Sequence, residues 1–287
     1  MTVAGKPNAG KSTLLNRIIG HKLSIVSPKP QSTRDRIVGI HSDADVQMVI
    51  LDTPGLLNPK YALQRAMRAT ALEALREADV IVYVVDATED DRQPLATAAA
   101  LDVEPSAPVI TALNKADLLS RKQRSILAEQ WPHAHFISAT AGNGVAELLG
   151  RIKTLLPESP FLYPEDEISA QNLRFFVAEL IREAALEQLS EELPYSVACE
   201  IEEFREDRKP VYIRAVLHVE RESQKRILIG TKGQQIRRIG QAARRKIEDL
   251  LGESVYLDVW AKVLPNWRKN VRALARLGYH VQQERDE

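Results

Sequence analysis

Hydrophobic positions along this chain follow two alternating rhythms. Short continuous apolar runs, rich in valine and isoleucine, mark buried strands at Thr2–Ala4, Ile37–Ser42, 46–51, 80–85, 109–113 and 135–137. Between them, apolar residues recur every three or four positions, which predicts helices at Lys11–Ile19, 63–77, 93–101, 120–130 and 145–156. Strands alternating with helices predict an α/β unit, a mostly parallel sheet with helices on both faces. Its ligand belongs in the crevice above the C-terminal strand ends.

The rhythm changes after residue 157. Residues 157–164 carry three prolines in eight positions and cannot continue a helix. Beyond them the pattern reads helix 168–189, strands 195–204 and Val211–Val219, helix 223–229, helix 234–251, strand 254–263 and helix 267–277. This α-β-β-α-α-β-α order is that of a separate α+β unit. The expected division is therefore 1–157, a semi-rigid linker 158–167, and 168–287.

With 287 residues, 44% of them hydrophobic and 27% charged, the chain can bury two ordinary cores. Net charge is zero, so affinity for a polyanion has to come from uneven distribution. Residues 158–207 are acidic, with Arg174, Arg182 and Arg205 as the only cations; residues 221–246 hold nine cations against Glu222. A single cysteine, Cys199, excludes an internal disulfide and a cysteine-based zinc site, and fits a reducing cytoplasm. No signal peptide and no apolar run of about 20 residues is visible.

The chemistry begins at Gly5-Lys6-Pro7-Asn8-Ala9-Gly10-Lys11-Ser12, with Thr13 behind it, a G-x-x-x-x-G-K-[ST] phosphate loop between a strand and a helix. Gly5 and Gly10 let backbone N–H groups turn toward an anion, and the helix N-terminus adds unsatisfied donors and a favourable dipole. Lys11 supplies a point charge between the outer phosphates, and the Ser12 hydroxyl can ligate Mg²⁺. Only four residues precede Gly5, so the first strand is expected to be short. This loop predicts a bound nucleoside triphosphate and leaves the base open.

Asp52-Thr53-Pro54-Gly55 ends the strand predicted at 46–51. There Asp52 can hold Mg²⁺ through water, and the Gly55 N–H can approach a terminal phosphate. The base is read from Asn114-Lys115-Ala116-Asp117. A carboxylate at Asp117 accepts from the N1–H and 2-amino group of guanine; adenine would leave it unpaired, which rejects adenine by a factor of order 10⁴. Asn114 would brace the loop or accept from the base, the Lys115 stem would cover the ring face, and Ser138-Ala139 offers the Ala139 N–H to guanine O6.

In this order the four motifs resemble the G domain of the translation-factor-related GTPases, and the Asn8-bearing loop is similar to their Era, Der and TrmE-like branch. The resemblance implies that Thr33, in the mobile proline-containing segment 27–36, senses Mg²⁺. It also nominates Asn8 as a K⁺ ligand where an arginine finger would otherwise act. Lys11, Thr33, Gly55 and Asn8 are then the catalytic set. Ras-like GTPases carry a water-orienting glutamine after D-x-x-G. Here that residue is Leu56, so slow turnover is expected.

Gly230-Thr231-Lys232-Gly233 interrupts two helices beside a predicted three-stranded sheet. Glycines suit close approach to a sugar–phosphate backbone. Lys225, Arg226, Lys232, Arg237 and Arg238 would neutralise phosphates, and Ile227, Ile229, Ile236 and Ile239 would floor a groove for single-stranded bases. This arrangement resembles a type II KH domain. A G domain followed by one such domain, with residues 253–268, is similar to the Era family over nearly the whole chain. That similarity implies a GTPase that uses GTP, Mg²⁺ and K⁺ and engages the 3′ end of small-subunit (16S) ribosomal RNA in the 30S pre-ribosome. It implies a cytoplasmic protein loosely peripheral on the inner face of the cell membrane; a monomer is expected. Two alternatives stay open here: an RNA-binding assembly factor with incidental GTP turnover, and a P-loop ATPase or small-molecule kinase, against which the N-K-A-D box argues.

Overall fold

A computed structural model describes residues 1–190 and 193–279. They divide into two compact units. The first takes Met1–Pro59 and Met67–Ala170; the second takes Lys60–Ala66 and the described residues from Gln171 onward.

The first unit is built on a six-stranded sheet of β1 (Thr2–Ala4), β2 (Ile37–Ser42), β3 (Gln47–Asp52), β4 (Ile81–Asp86), β5 (Val109–Asn114) and β6 (His135–Phe136), in the order β2-β3-β1-β4-β5-β6. Only the β2–β3 pairing is antiparallel. Every residue of β4 is buried, as a central parallel strand covered on both faces requires. On one face Ile81, Tyr83 and Val85 pack with residues of α2 (Ala62–Glu77), α3 (Leu95–Ala99) and α4 (Arg121–Gln130). Val82 and Val84 point the other way by the two-residue period of a strand and are equally buried. Helix α1 (Lys11–Ile19) packs on β1, β2 and β3, and α5 (Val145–Lys153) buries Val145, Leu148 and Ile152.

Several helices are shorter than the periodicity predicts, because capping outweighs apolar spacing. Ser120 caps α4 with a reciprocal Gln123 capping box, while Ala100 in a left-handed conformation stops α3. The helix expected from residue 168 begins at Leu173, where the Asn172 side chain accepts from the Phe175 N–H. The residues before it lie against the first unit's sheet edge. Ile40 N–H donates to Ile168 O at 2.9 Å, and Gln47 Oε1 accepts from the N–H groups of Leu162 and Tyr163.

The second unit has a three-stranded sheet, β7 (Ala198–Arg205), β8 (Val211–Val219) and β9 (Val255–Val263), with β7–β8 antiparallel and β8–β9 parallel. The long crossover between β8 and β9 is α8 (Glu222–Ile229) and α9 (Gln234–Leu251), as parallel pairing demands. Val177, Ile181 and Ala184 of α6 (Leu173–Gln188) and Ile239, Ala243 and Ile247 of α9 form the core with alternate residues of β8. The strand expected at 195–204 begins only at Ala198, because residues Leu193–Ser196 form a helical turn, α7. The terminal helix expected at 267–277 is split: Trp267–Lys269 is a 3₁₀ turn, and Asn270 then caps α10 (Val271–Arg276). Among the described residues no helix is long and apolar enough to cross a membrane.

Candidate nucleotide and RNA sites

The segments that follow β1, β3, β5 and β6 converge on one cavity of about 560 Å³. Pro7, Asn8, Gly10, Lys11, Ser12, Thr13, Thr33, Gly55, Asn114, Lys115, Asp117 and Ser138 all line it. Four motifs drawn from both ends of the first unit thus share one space.

Asn114 is the brace of this assembly. Its Nδ2 donates to Ala9 O at 2.8 Å, and its Oδ1 accepts from Ala139 N–H at 2.9 Å. One buried side chain therefore ties the phosphate loop to the Ser138 turn, and bracing is the role its geometry supports. A Cβ at Gly10 would overlap Asn114 Nδ2. The Ala139 N–H, expected to reach guanine O6, is committed to Asn114 instead. Arg17 of α1 holds the same turn by donating to the carbonyls of Ala139 (3.1 Å) and Thr140.

Lys115 has a left-handed φ of 63°, and its ammonium pairs with Asp86 at the end of β4. Burial opposes ionisation of Asp86, but the hydrogen bonds from Lys115 and Thr88 prevail and hold its carboxyl below the usual range. Asp86 lies outside the four motifs; its position at the end of β4, matching Asp52 at the end of β3, is the signal the sequence offers for it. Asp117 follows in the 3₁₀ turn Ala116–Leu118, pinned by Ala116 N–H to Ile137 O at 3.0 Å, with its side chain exposed on the cavity.

On the phosphate side Lys11 is 6% exposed and donates to Gly5 O (3.1 Å) and Lys6 O (3.0 Å). Burial pushes its ammonium down to about 8, against the attraction of Asp52. Lys6 turns outward to Asp91, with Nζ 2.7 Å from Oδ2. Asp52 is fully buried; burial pushes its carboxyl up, against Lys11 and hydrogen bonds from Ser12, Ser24 and Thr33. Ser12 Oγ lies 2.7 Å from Asp52 Oδ2 and 3.0 Å from Thr33 Oγ1, so the three expected metal residues do meet. Asp52 Oδ1, by contrast, is buried without a hydrogen-bond partner. An orphaned carboxylate oxygen beside two hydroxyls is the donor set that a hard cation and its bound water would satisfy. These residues fit Mg²⁺.

Other expected residues serve the frame. Thr53 is buried, its hydroxyl donating to Val3 O at 2.9 Å; Pro54 is buried as well. Leu56 is 3% exposed within the sheet-face core, and its N–H donates to Gly5 O at 3.0 Å. Asn8, at φ 62°, donates from Nδ2 to Pro28 O at 3.0 Å, linking the phosphate loop to segment 27–36.

In the second unit, Gly230 (φ 71°), Lys232 (φ 50°) and Gly233 (φ 74°) bend the chain sharply between α8 and α9. Thr231, Lys232, Arg226, Arg237 and Arg238 are exposed there and Lys225 is half-buried. Ile227 is exposed, and Ile229 and Ile236 are half-buried. The expected groove floor needs one correction: Ile239 is fully buried in the core, on the α9 face that also carries Ala243 and Ile247. Lys246 also leaves the basic surface, pairing with Glu183 (2.7 Å) and Glu187 (2.6 Å) on α6.

A family model described as "50S ribosome-binding GTPase" matches residues 1–115, and a KH domain model matches residues 192–268. GTPase Era of Ectopseudomonas mendocina is 44% identical, over 97% of this chain and 96% of that protein. The chain belongs to the Era family of GTPases. GTPase Era of Azotobacter vinelandii is also 44% identical, over 97% of this chain and 95% of its own length. Two Era crystal structures superpose over 98% of both chains at 37% identity. One is an Aquifex aeolicus Era variant bound to GDP.AlF4⁻, with a TM-score of 0.90. The other is Era in complex with MgGDPNP and nucleotides 1506–1542 of 16S ribosomal RNA, with a TM-score of 0.91. The family thus has the order of units read from the sequence, a P-loop GTPase domain followed by a KH domain.

Proposed function

We propose that this chain is a GTP-hydrolysing switch that binds the 3′ end of small-subunit (16S) ribosomal RNA and acts in assembly of the 30S subunit. The GTPase domain spans 1–157 and the KH-type domain 168–287, joined by 158–167. The observation that carries the reading is the convergence of Lys11, Ser12, Asn114 and Asp117 on one cavity, with Asp52 buried behind Ser12, in a chain of the Era family. Asp117 selects guanine, and Asn114 sets the spacing between base site and phosphate loop. Ser12, Thr33 and Asp52 would hold Mg²⁺, which supplies charge neutralisation at the outer phosphates when bound. Competition of GTP and ATP against a fluorescent GDP analogue, with a parallel titration of a 16S 3′-end oligonucleotide, tests it. Equal displacement by ATP, or no RNA binding, would overturn it.

Leu56 faces the core and cannot orient water, which supports slow intrinsic turnover and favours as second reading an assembly factor in which turnover is incidental. Asn8 supports a way past this limit. Its Nδ2 is spent on Pro28, while its amide oxygen is a donor suited to a hard monovalent cation. Exchanging K⁺ for Li⁺ should slow hydrolysis by about tenfold or more if a stabilising transition-state charge is lost; an unchanged rate sinks the K⁺ role. We place the protein in the cytoplasm as a monomer, with loose attachment to the inner membrane face, to be checked by fractionation.

Lys11 gives the site a pH signature. Burial pushes its ammonium down to about 8, and bound phosphates would restore the charged form. Below that pH the lysine is already protonated and affinity is flat. Above it, binding has to take up a proton, so affinity falls by up to about tenfold per pH unit. Titration calorimetry in buffers of different ionisation enthalpy should show proton uptake only on the alkaline side.

A further inference from the structure

Asp52 is held by a residue outside every motif. Its Oδ2 accepts from two hydroxyls, Ser12 at 2.7 Å and Ser24 at 2.8 Å, while Oδ1 has no hydrogen-bond partner. Ser24 is 1% exposed, so no water competes for its hydroxyl. Its backbone is itself clamped by Asn16 of α1. Asn16 Oδ1 accepts from the N–H groups of Leu23 and Ser24, both at 2.9 Å, and Nδ2 donates to Ser24 O at 2.9 Å. Three bonds thus fix the chain just before segment 27–36 and aim one hydroxyl at the carboxylate.

Two donors on Oδ2 oppose rotation of the carboxylate, and Oδ1 is left buried without a hydrogen-bond partner. Ser12 is a proposed metal ligand, so its oxygen has a second task. Ser24 has none. From this we infer that Ser24 is a positioning residue, which holds Asp52 so that Oδ1 presents to the Mg²⁺ site. The inference rests on the GTP reading above.

The test compares full-length wild type, Ser24→Ala and Ser24→Cys. The cysteine is nearly isosteric and keeps a weak donor. Release of a fluorescent GDP analogue is followed against Mg²⁺ concentration, and GDP affinity is measured separately in excess EDTA. For Ser24→Ala the half-saturating Mg²⁺ concentration should rise about tenfold, the scale of one hydrogen bond to a buried charged group. Ser24→Cys should fall between, and affinity in EDTA should stay at the wild-type value in both. A general packing role would lower affinity with and without Mg²⁺ in the same proportion. That result, or an unmoved Mg²⁺ midpoint, overturns the inference; if the alanine variant does not fold, the cysteine variant decides by the same readings. Absence of Mg²⁺-dependent GDP binding in the wild type would overturn the GTP reading and this inference with it.

Discussion

Asp117→Asn is expected to lower GTP affinity by a factor of order 10⁴ and to create affinity for the xanthine nucleotide. The substitution removes a formal charge and one acceptor while keeping size and shape. Guanine presents two donors, N1–H and the 2-amino group. Asparagine offers one acceptor and one donor, so an amide N–H meets an N–H of the base and both are left unpaired. Xanthine carries a carbonyl at that carbon and restores the match. The effect should be almost purely one of recognition, because the turn is fixed by other groups. Ala116 N–H is bonded to Ile137 O, Lys115 is paired with Asp86, and Asn114 spans two loops. Since the Asp117 side chain is exposed, unfolding stability should change by no more than about 0.5 kcal/mol. Calorimetric titration with GTP and XTP checks both arms. An unchanged GTP to XTP ratio would remove Asp117 from the base site.

The elements legible in the sequence were those whose signal is local. A continuous apolar run such as Ile81–Asp86 can scarcely be anything but a covered strand, and Lys11–Ile19 carries both its glycine entry and its apolar stripe. Ends were less legible, since Asn172 and Asn270 act as caps through single hydrogen bonds that periodicity does not register. The site shows the same division. Lys11, Asp52, Asn114 and Asp117 are legible as candidates because phosphate, metal and base recognition call for those residue types in the segments that follow strands. Ser24, Asn16, Arg17 and Asp86 act through the groups they hold, and those partners lie as far as 123 residues away. Ile239 misled for a related reason: an isoleucine beside a basic loop suits either a groove floor or a core, and only the α9 face chosen by Ala243 and Ile247 separates them.

Gly233→Asp is expected to remove RNA binding while leaving GTP affinity intact, and the loop geometry explains why this glycine is the one to change. Gly233 sits at φ 74°, ψ 16°, the left-handed region that aspartate tolerates better than most residues, and a Cβ there would meet nothing within 4 Å. Gly230 differs. At φ 71°, ψ 176° it occupies a region open essentially to glycine alone, and its Cβ would lie 2.7 Å from Gln235 Cβ. Substitution at Gly230 therefore tests folding, whereas substitution at Gly233 tests the surface. A carboxylate at Gly233 would stand on the loop that also carries exposed Lys232 and precedes exposed Arg237 and Arg238. At 4 Å from a phosphate, a unit charge costs roughly 4 kcal/mol at an effective dielectric of 20. Solvent screening reduces that, so a loss of about 10²-fold in RNA affinity is expected, largest at low salt. Filter binding of a 16S 3′-end oligonucleotide across a salt series, with GDP titration and a thermal melt on the same preparation, separates the outcomes. Loss of RNA binding with unchanged melting places the phosphate backbone against Gly233; retained RNA binding moves it elsewhere on the second unit.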